Sequence, residues 1–412
     1  MKNNRTFLEK LLDGAEVEWK PLGDVCNFQN GFAFKSSLFK DNGSPIVRIT
    51  NIDGGRINLS DVKYFLMDDY NTDMAAYEVH KDDILIAMSG ATTGKIGFYN
   101  YEHTSYLNQR VGKFLPNTNI LNNRYLYHYL LSKVEDIYII SGGGAQPNLS
   151  SNRLMSEVLI PIPPLSVQTE IVKILDALTA LTSELTSELT LRRKQYEYYL
   201  DNLLSKEELG KIGFEWKCLK DICDYVDFRG KTPKKTESGI FLVTAKNIKK
   251  GFIDYNASKE FVSESDYIEI MRRGLPRIGD VLITTEAPCG NVAQIDKEDI
   301  ALAQRVIKYR SSNENILDNT FLKFMLLSKE FQVNLIKLST GGTVKGIKGS
   351  TLHKMKIKIP PIDEQKRIVS ILEKFEILTN SITEGLPLAI EQSQKRYEYY
   401  RELLLSFNGS NQ

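Results

Sequence analysis

Few stretches in this 412-residue chain could hold a phosphate or a reacting base. Gly90-Ala91-Thr92-Thr93-Gly94-Lys95-Ile96 approaches a phosphate-cradling glycine loop. It is one residue short, however, and has Ile96 where a magnesium-binding Ser or Thr is required. The second half of the chain has Asn291 where Lys95 stands, and Lys345-Gly346-Ile347-Lys348-Gly349-Ser350 reverses the Gly-Lys order. Methyl transfer to an exocyclic amine would use Asn or Asp ahead of Pro-Pro-aromatic, but Ile162-Pro163-Pro164 offers no polar head group. His80, His103, His128 and His353 are scattered without metal-ligand spacing and read as exposed or satisfied side chains. Cys26, Cys218, Cys223 and Cys289 form no CxxC pair; two disulfides are arithmetically possible, but reduced thiols fit a chain of this length without an export signal. No catalytic residue, metal ligand or cofactor is therefore expected.

Binding chemistry remains. The net charge is only +1, but it is segregated. Residues 217–362 carry 25 Lys+Arg against 17 Asp+Glu, residues 20–165 carry 13 against 14, and the rest carries 15 against 21. The second globular part thus has the balance of a polyanion binder, the plain alternative being a lysine-rich solvated face. No apolar run reaches the ~18 residues of a membrane span, and the first twenty residues lack a signal-peptide core, so a soluble, cytoplasmic chain is expected.

The elements that must position such loops are legible as a repeat. Trp19-Lys20-Pro21-Leu22-Gly23-Asp24-Val25-Cys26 returns as Trp216-Lys217-Cys218-Leu219-Lys220-Asp221-Ile222-Cys223, a shift of 197 residues. The same shift carries Asp83 onto Asp280 and Pro163-Pro164 onto Pro360-Pro361, while small indels move Gln109-Arg110 onto Gln304-Arg305. From Ser166 to Ser205 the apolar residues recur at helical steps without Pro or Gly, giving a rod of roughly 60 Å that needs a partner helix. Its near copy runs from Asp363 to Phe407, where Gly385 and Pro387 predict two shorter helices end to end. Each globular part mixes short strands (46–49, 84–88, 159–162; 240–244, 281–285) with one helical segment (124–140; 319–338) and closes on a diproline, after which Ser166 or Asp363 is placed to cap the rod. The expected partition is an N-terminal segment 1–19, a domain 20–165, a helix region 166–215, a domain 216–362 and a helix region 363–412. The fold class is mixed α/β, two globular copies separated by two long antiparallel coiled-coil helices with pseudo-twofold symmetry.

Through LLDGAEVEWKPLGDV, IPIPPLSVQTEIVKILD and GLPLAIEQSQKRYEYYRELLLSF, the sequence resembles the specificity subunits of type I restriction-modification systems along its whole length. The resemblance implies two target recognition domains, each reading half of a split double-stranded DNA sequence. It also implies a coiled coil that sets the gap and docks modification (methyltransferase) subunits, two being expected, with ATP-dependent translocase/nuclease subunits joining through the complex. The chain itself would be a non-catalytic subunit. A specificity chain of a methylation-only system is the alternative; a self-contained enzyme and a coiled-coil protein without a DNA role are rivals from other classes.

If the two halves read different sequences, residues identical in both cannot encode the difference and are scaffold or phosphate contacts; for Gln109-Arg110 and Gln304-Arg305 packing and a phosphate or base contact both stay open. Asp83/Asp280 and Trp19/Trp216 are accordingly expected to be structural. DNA-contact candidates in the first domain are Asn30, Lys35, Thr92, Lys95, Gln109, Arg110, Gln146 and Asn148. In the second they are Arg229, Lys231, Lys234, Lys235, Gln304, Arg305, Lys345 and Lys348, several of the lysines acting on phosphates. Tyr196, Tyr199, Leu203, Tyr397, Tyr400 and Leu404 carry more apolar surface than a two-helix seam uses and are candidates for docking the modification subunits, or else for an intramolecular clasp.

Overall fold

Strand Glu18–Pro21 runs antiparallel to Leu159–Ile162, with Trp19 opposite Pro161, and so ties the entry of the first globular part to its exit. The second part repeats this with Glu215–Cys218 against Lys356–Ile359, Trp216 facing Lys358. This computed structural model describes residues 6–143, 147–228, 234–342, 344–381 and 383–407. The chain forms two compact units, one of residues 1–184 with 390–412 and one of residues 185–389, so each contains a globular part together with portions of both rods.

In the first unit, a six-stranded sheet runs in the order Cys26–Asn30, Val111–Pro116, Ile84–Ala87, Ile96–Phe98, Gly55–Ile57, Ile52–Asp53. All four residues of Ile84–Ala87 are buried, as expected of a central strand covered on both faces. A four-stranded sheet (Lys63–Phe65, Ser44–Val47, Ser105–Leu107, Glu78–Val79) stands beside it and contains a parallel pairing of Ile46 with Tyr106. The second unit keeps the plan with fewer strands in its main sheet: Cys223–Asp227, Val306–Ser311, Val281–Thr285, Cys289–Gln294. Its other sheet again holds one parallel pairing, Phe241 with Ile300.

Buried charges sit at equivalent places. Lys113 pairs with Asp83 and Lys308 with Asp280, both at 3.2 Å. Asp83 also accepts the His80 N–H and Asp280 the Arg277 N–H, each at 2.8 Å. A buried charge needs such partners, which explains why both aspartates recur, and they are structural as expected. The four cysteines are unpaired thiols, with Cys26 and Cys223 pushed up to about 12 by burial.

Several local expectations are corrected. Segment 124–140 is two helices, Asn123–Ser132 and Val134–Ile140, because the backbone leaves helical geometry at Lys133. Segment 319–338 divides likewise at Ser328, whose hydroxyl accepts the Phe331 N–H as the cap of Lys329–Leu338. Ser166 and Asp363 do not cap the rods, since the helices start one residue earlier, at Leu165 and Ile362.

The rod starts are instead fastened by a glutamine in their first turns. Gln168 accepts the Asn122 N–H (2.8 Å) and donates to the carbonyls of Ile120 (2.9 Å) and Pro163 (2.8 Å). Gln365 does the same with the Asp318 N–H (3.0 Å), Ile316 O (2.8 Å) and Pro360 O (2.8 Å). Both glutamines are 0 % exposed. An amide saturated in this way satisfies backbone groups that burial would otherwise leave unpaired.

The first rod is one helix, Leu165–Leu203, and the second is two, Ile362–Asn380 and Leu386–Leu405, as Gly385 and Pro387 predict. Gly385 has φ +90, and a Cβ there would lie 2.4 Å from the Ile377 carbonyl oxygen, so no larger residue fits without a shift. Within the first unit the rods run antiparallel, Thr182 bonding Ser393 (2.8 Å) while Asp176 and Tyr397 both bond His128. Within the second, Arg193 meets the Thr379 carbonyl, Tyr196 bonds Glu376 (3.2 Å) and Tyr199 stacks on Phe375 (5.3 Å).

Candidate nucleic-acid interface

At one end of the main sheet in the first unit, three separate loops are joined by backbone hydrogen bonds. The Met88 N–H donates to Arg110 O (2.8 Å) and the Leu149 N–H to Met88 O (2.7 Å), so residues 88–95, 109–110 and 147–149 form one rim. The Gln109 N–H donates to Phe32 O (2.7 Å), adding the 30–35 loop, which Phe32, Phe34 and Tyr70 brace from beneath with ring contacts of 5.0–5.5 Å. The second unit reproduces the knot. Thr285 N–H donates to Arg305 O (2.8 Å) and Ile347 N–H to Thr285 O (2.9 Å). Positions 88 and 285, 110 and 305, 149 and 347 are therefore structural equivalents.

The rim exposes Asn30, Lys35, Gln109, Arg110 and Asn148 in the first unit and Arg305, Lys345 and Lys348 in the second, with Gln304 partly exposed. A concavity in the second rim is lined by Thr285, Glu286, Gln304, Arg305, Thr340 and Lys348 among others. Amides and guanidiniums beside lysines can donate to base edges and phosphates at once. Two candidates differ from expectation. The Thr92 hydroxyl is turned inward and buried, because residues 90–92 form a tight 3₁₀ turn, and it does not face a ligand. Lys235 belongs to the other sheet and is paired with Glu260 at 2.9 Å, so it is not part of the rim. Lys95 is half-buried at the foot of its loop, and Lys234 is exposed beside Lys235. Gln146, Arg229 and Lys231 lie outside the described residues.

The tyrosine-rich rod ends also need correction. The Tyr397 hydroxyl bonds His128 Nδ1 (3.0 Å), Tyr196 bonds Glu376, and Leu404 is 0 % exposed in the first unit's core, so these three are occupied by the chain itself. Leu203 packs partly buried against the second core, whereas Tyr199 and Tyr400 keep 39 % and 38 % of their surface open.

In the first unit, Asp176 takes hydrogen bonds from Arg124 and from His128 Nε2 (2.8 Å), which leaves Nδ1 to accept the Tyr397 hydroxyl. Burial pushes the Asp176 carboxyl up, but the bonds from His128 and Arg124 outweigh it and hold the group at about 2. Burial also lowers the His128 pKa, so the ring is neutral at pH 7. In the second unit Lys323, one residue before the position of His128, bonds Glu376 at 2.6 Å. Sequence reading offered a clasp at Tyr196 and Tyr397 as an alternative but missed its partners and the two glutamines. The available signal was a polar residue at matching positions on otherwise apolar helix faces.

Two folds of one plan, each ending in a polar rim, define a tandem recognition protein. The family model of the type I restriction modification DNA specificity domain matches residues 15–191 and again 211–392, and the chain belongs to that family. The specificity subunit S.HindORF215P of Haemophilus influenzae is 40 % identical, covering 99 % of this chain and 100 % of that protein. The EcoR124I/EcoR124II specificity subunit of Escherichia coli is 33 % identical over 98 % of this chain and 97 % of its own length. Among solved structures, the S subunit of a type I system from M. genitalium superposes with a TM-score of 0.52 at 16 % identity, covering 95 % of this chain and 96 % of that one. A chain from a type I restriction-modification assembly gives 0.58 at 18 %, covering 95 % and 98 %. Among the described residues, no helix is long and apolar enough to cross a membrane, and no cluster of His, Cys, Asp and Glu could hold a metal ion.

Proposed function

We propose that each rim reads one half of a bipartite target in double-stranded DNA, with residues 20–165 and 216–362 as the recognition domains. The observation that carries this is the same backbone knot in both units, fitted around a shared Gln-Arg pair with otherwise different side chains: a fixed frame with exchangeable readers. Residues 166–215 and 363–412 form the spacer that sets the number of base pairs between half-sites. Tyr199 and Tyr400, the two exposed tyrosines among the six rod-end candidates, dock two modification subunits, and translocase/nuclease subunits join through the complex. Methyl transfer and cleavage belong to those partners, while this chain supplies the address. Lys345 and Lys348 act on phosphates, which makes binding steeply salt-dependent. The setting is the cytoplasm.

The test is methylation mapping with the complex of this chain and its modification subunits. Deleting Thr182–Leu185 removes four helical residues, roughly 6 Å of rise, or about one to two base pairs at ~3.4 Å each. The expected result is a shortened gap between two unchanged half-sites. An altered half-site with an unaltered gap would overturn the spacer assignment.

A further inference from the structure

The two rims differ at one pair of equivalent positions in a way that specifies a base. In the second unit Arg305 has φ +70, an uncommon backbone geometry for a residue with a side chain, and its carbonyl is fixed by the Thr285 N–H. Its guanidinium Nε lies 3.2 Å from the Glu286 carboxylate, with the two side chains 55 % and 44 % exposed. In the first unit Arg110 holds the equivalent place, but Ser89 stands where Glu286 does.

An ion pair this exposed adds little to folding stability. A carboxylate on a surface that approaches DNA also repels the phosphates, unless it receives a hydrogen bond from the bases. In the major groove only the amino groups of cytosine and adenine donate. Arg305 is a forked donor, and its best match is the O6/N7 pair of guanine. A G·C pair presents those two acceptors and the cytosine amino donor side by side, the complement of a neighbouring arginine and glutamate. An A·T pair offers no doubled acceptor to the fork.

We infer that Glu286 and Arg305 together read a G·C base pair in the half-site of the second unit, Glu286 accepting from the cytosine N4 amine and Arg305 donating to guanine. This rests on the reading of the second unit as a recognition domain.

The experiment uses the complex with its modification subunits, labelled methyl donor and a duplex library randomised across both half-sites. The wild-type complex should require G·C at one position of the second half-site. Glu286→Gln keeps the shape but replaces the anionic acceptor with an amide, and should relax that position roughly tenfold to a hundredfold. Arg305→Lys, which keeps the charge but loses the fork, should relax the same position, and neither change should alter the first half-site. A second half-site without a required G·C pair would overturn the inference, as would unchanged preferences in Glu286→Gln or equal changes in both halves. If the wild-type complex methylates without sequence preference in its second half-site, the recognition-domain reading fails as well. Specific methylation that ignores both substitutions removes the base assignment alone.

Discussion

In the first unit, the helix facing the rods carries Arg124 and His128, both bonded to Asp176, with Tyr397 closing the cluster. In the second, Phe324 stands where His128 does; Lys323, at the place of Tyr127, bonds Glu376, and Tyr196 takes the place of Tyr397. The glutamine fastening, the backbone knot and the rim pair Gln109-Arg110/Gln304-Arg305 are shared, whereas the clasp chemistry, the strand number and the other rim side chains are not. What duplication preserved is therefore the set of buried hydrogen bonds that position backbone. Apart from the Lys113–Asp83 and Lys308–Asp280 pairs, what it released are groups whose partners are side chains or solvent.

The comparison can be broken most sharply at Gln168 and Gln365. Replacing either with Ala strands two carbonyls and one N–H, and should cost its own unit about 3 kcal/mol. Chemical denaturation of each variant checks this, and clearly unequal losses would mean that the two fastenings are not equivalent. Next in size, Arg110→Ala should weaken discrimination only in the first half-site and Arg305→Ala only in the second, by about 1–3 kcal/mol, read by competition with mismatched duplexes.

Acid should separate the units further. The folded His128 pKa lies below its ordinary value of 6.5, so its contribution is full above that value and fades as pH falls past it. The folded Asp176 pKa, about 2, lies below the ordinary 3.8, so its contribution is present above 3.8 and is lost as pH drops toward 2. Both effects have the same sign. For Asp176, which is about one-third exposed, the loss should be about 1 kcal/mol after allowance for solvent screening. Melting curves of Asp176→Asn against the wild type should lose the step between pH 4 and 2. Smallest of all, Lys345→Ala and Lys348→Ala should each reduce the slope of log affinity against log salt by about one, without changing the preferred sequence.

Much of this plan was legible in the residues. The 197-residue shift, the diprolines and the helical stripes located the strands at 159–162 and 281–285, the long helix and its interrupted partner. Periodicity was less useful at Lys133 and Ser328, because a helix that restarts with its apolar face still toward the core leaves the spacing almost undisturbed. Composition left Tyr196 and Tyr397 open between docking and a clasp. An amphipathic ring with a hydroxyl suits either a docking surface or a buried polar clasp, and only the location of Glu376 and His128 decides. Gln168 and Gln365 escaped because a polar residue in a rod's first turn looks like a solvated one. The rim emerged as loops of the right composition, but joining 88, 110 and 149 required backbone pairing between segments distant in sequence.

Leu404, Leu405 and Phe407 lie in the hydrophobic core of the first unit. On the ribosome, this half begins first yet is sealed last, after every residue of its sibling has been made. Truncation before Leu404 should consequently unseat the amino-terminal reader and spare the other, so that the resulting molecule would recognise only the second part of its address.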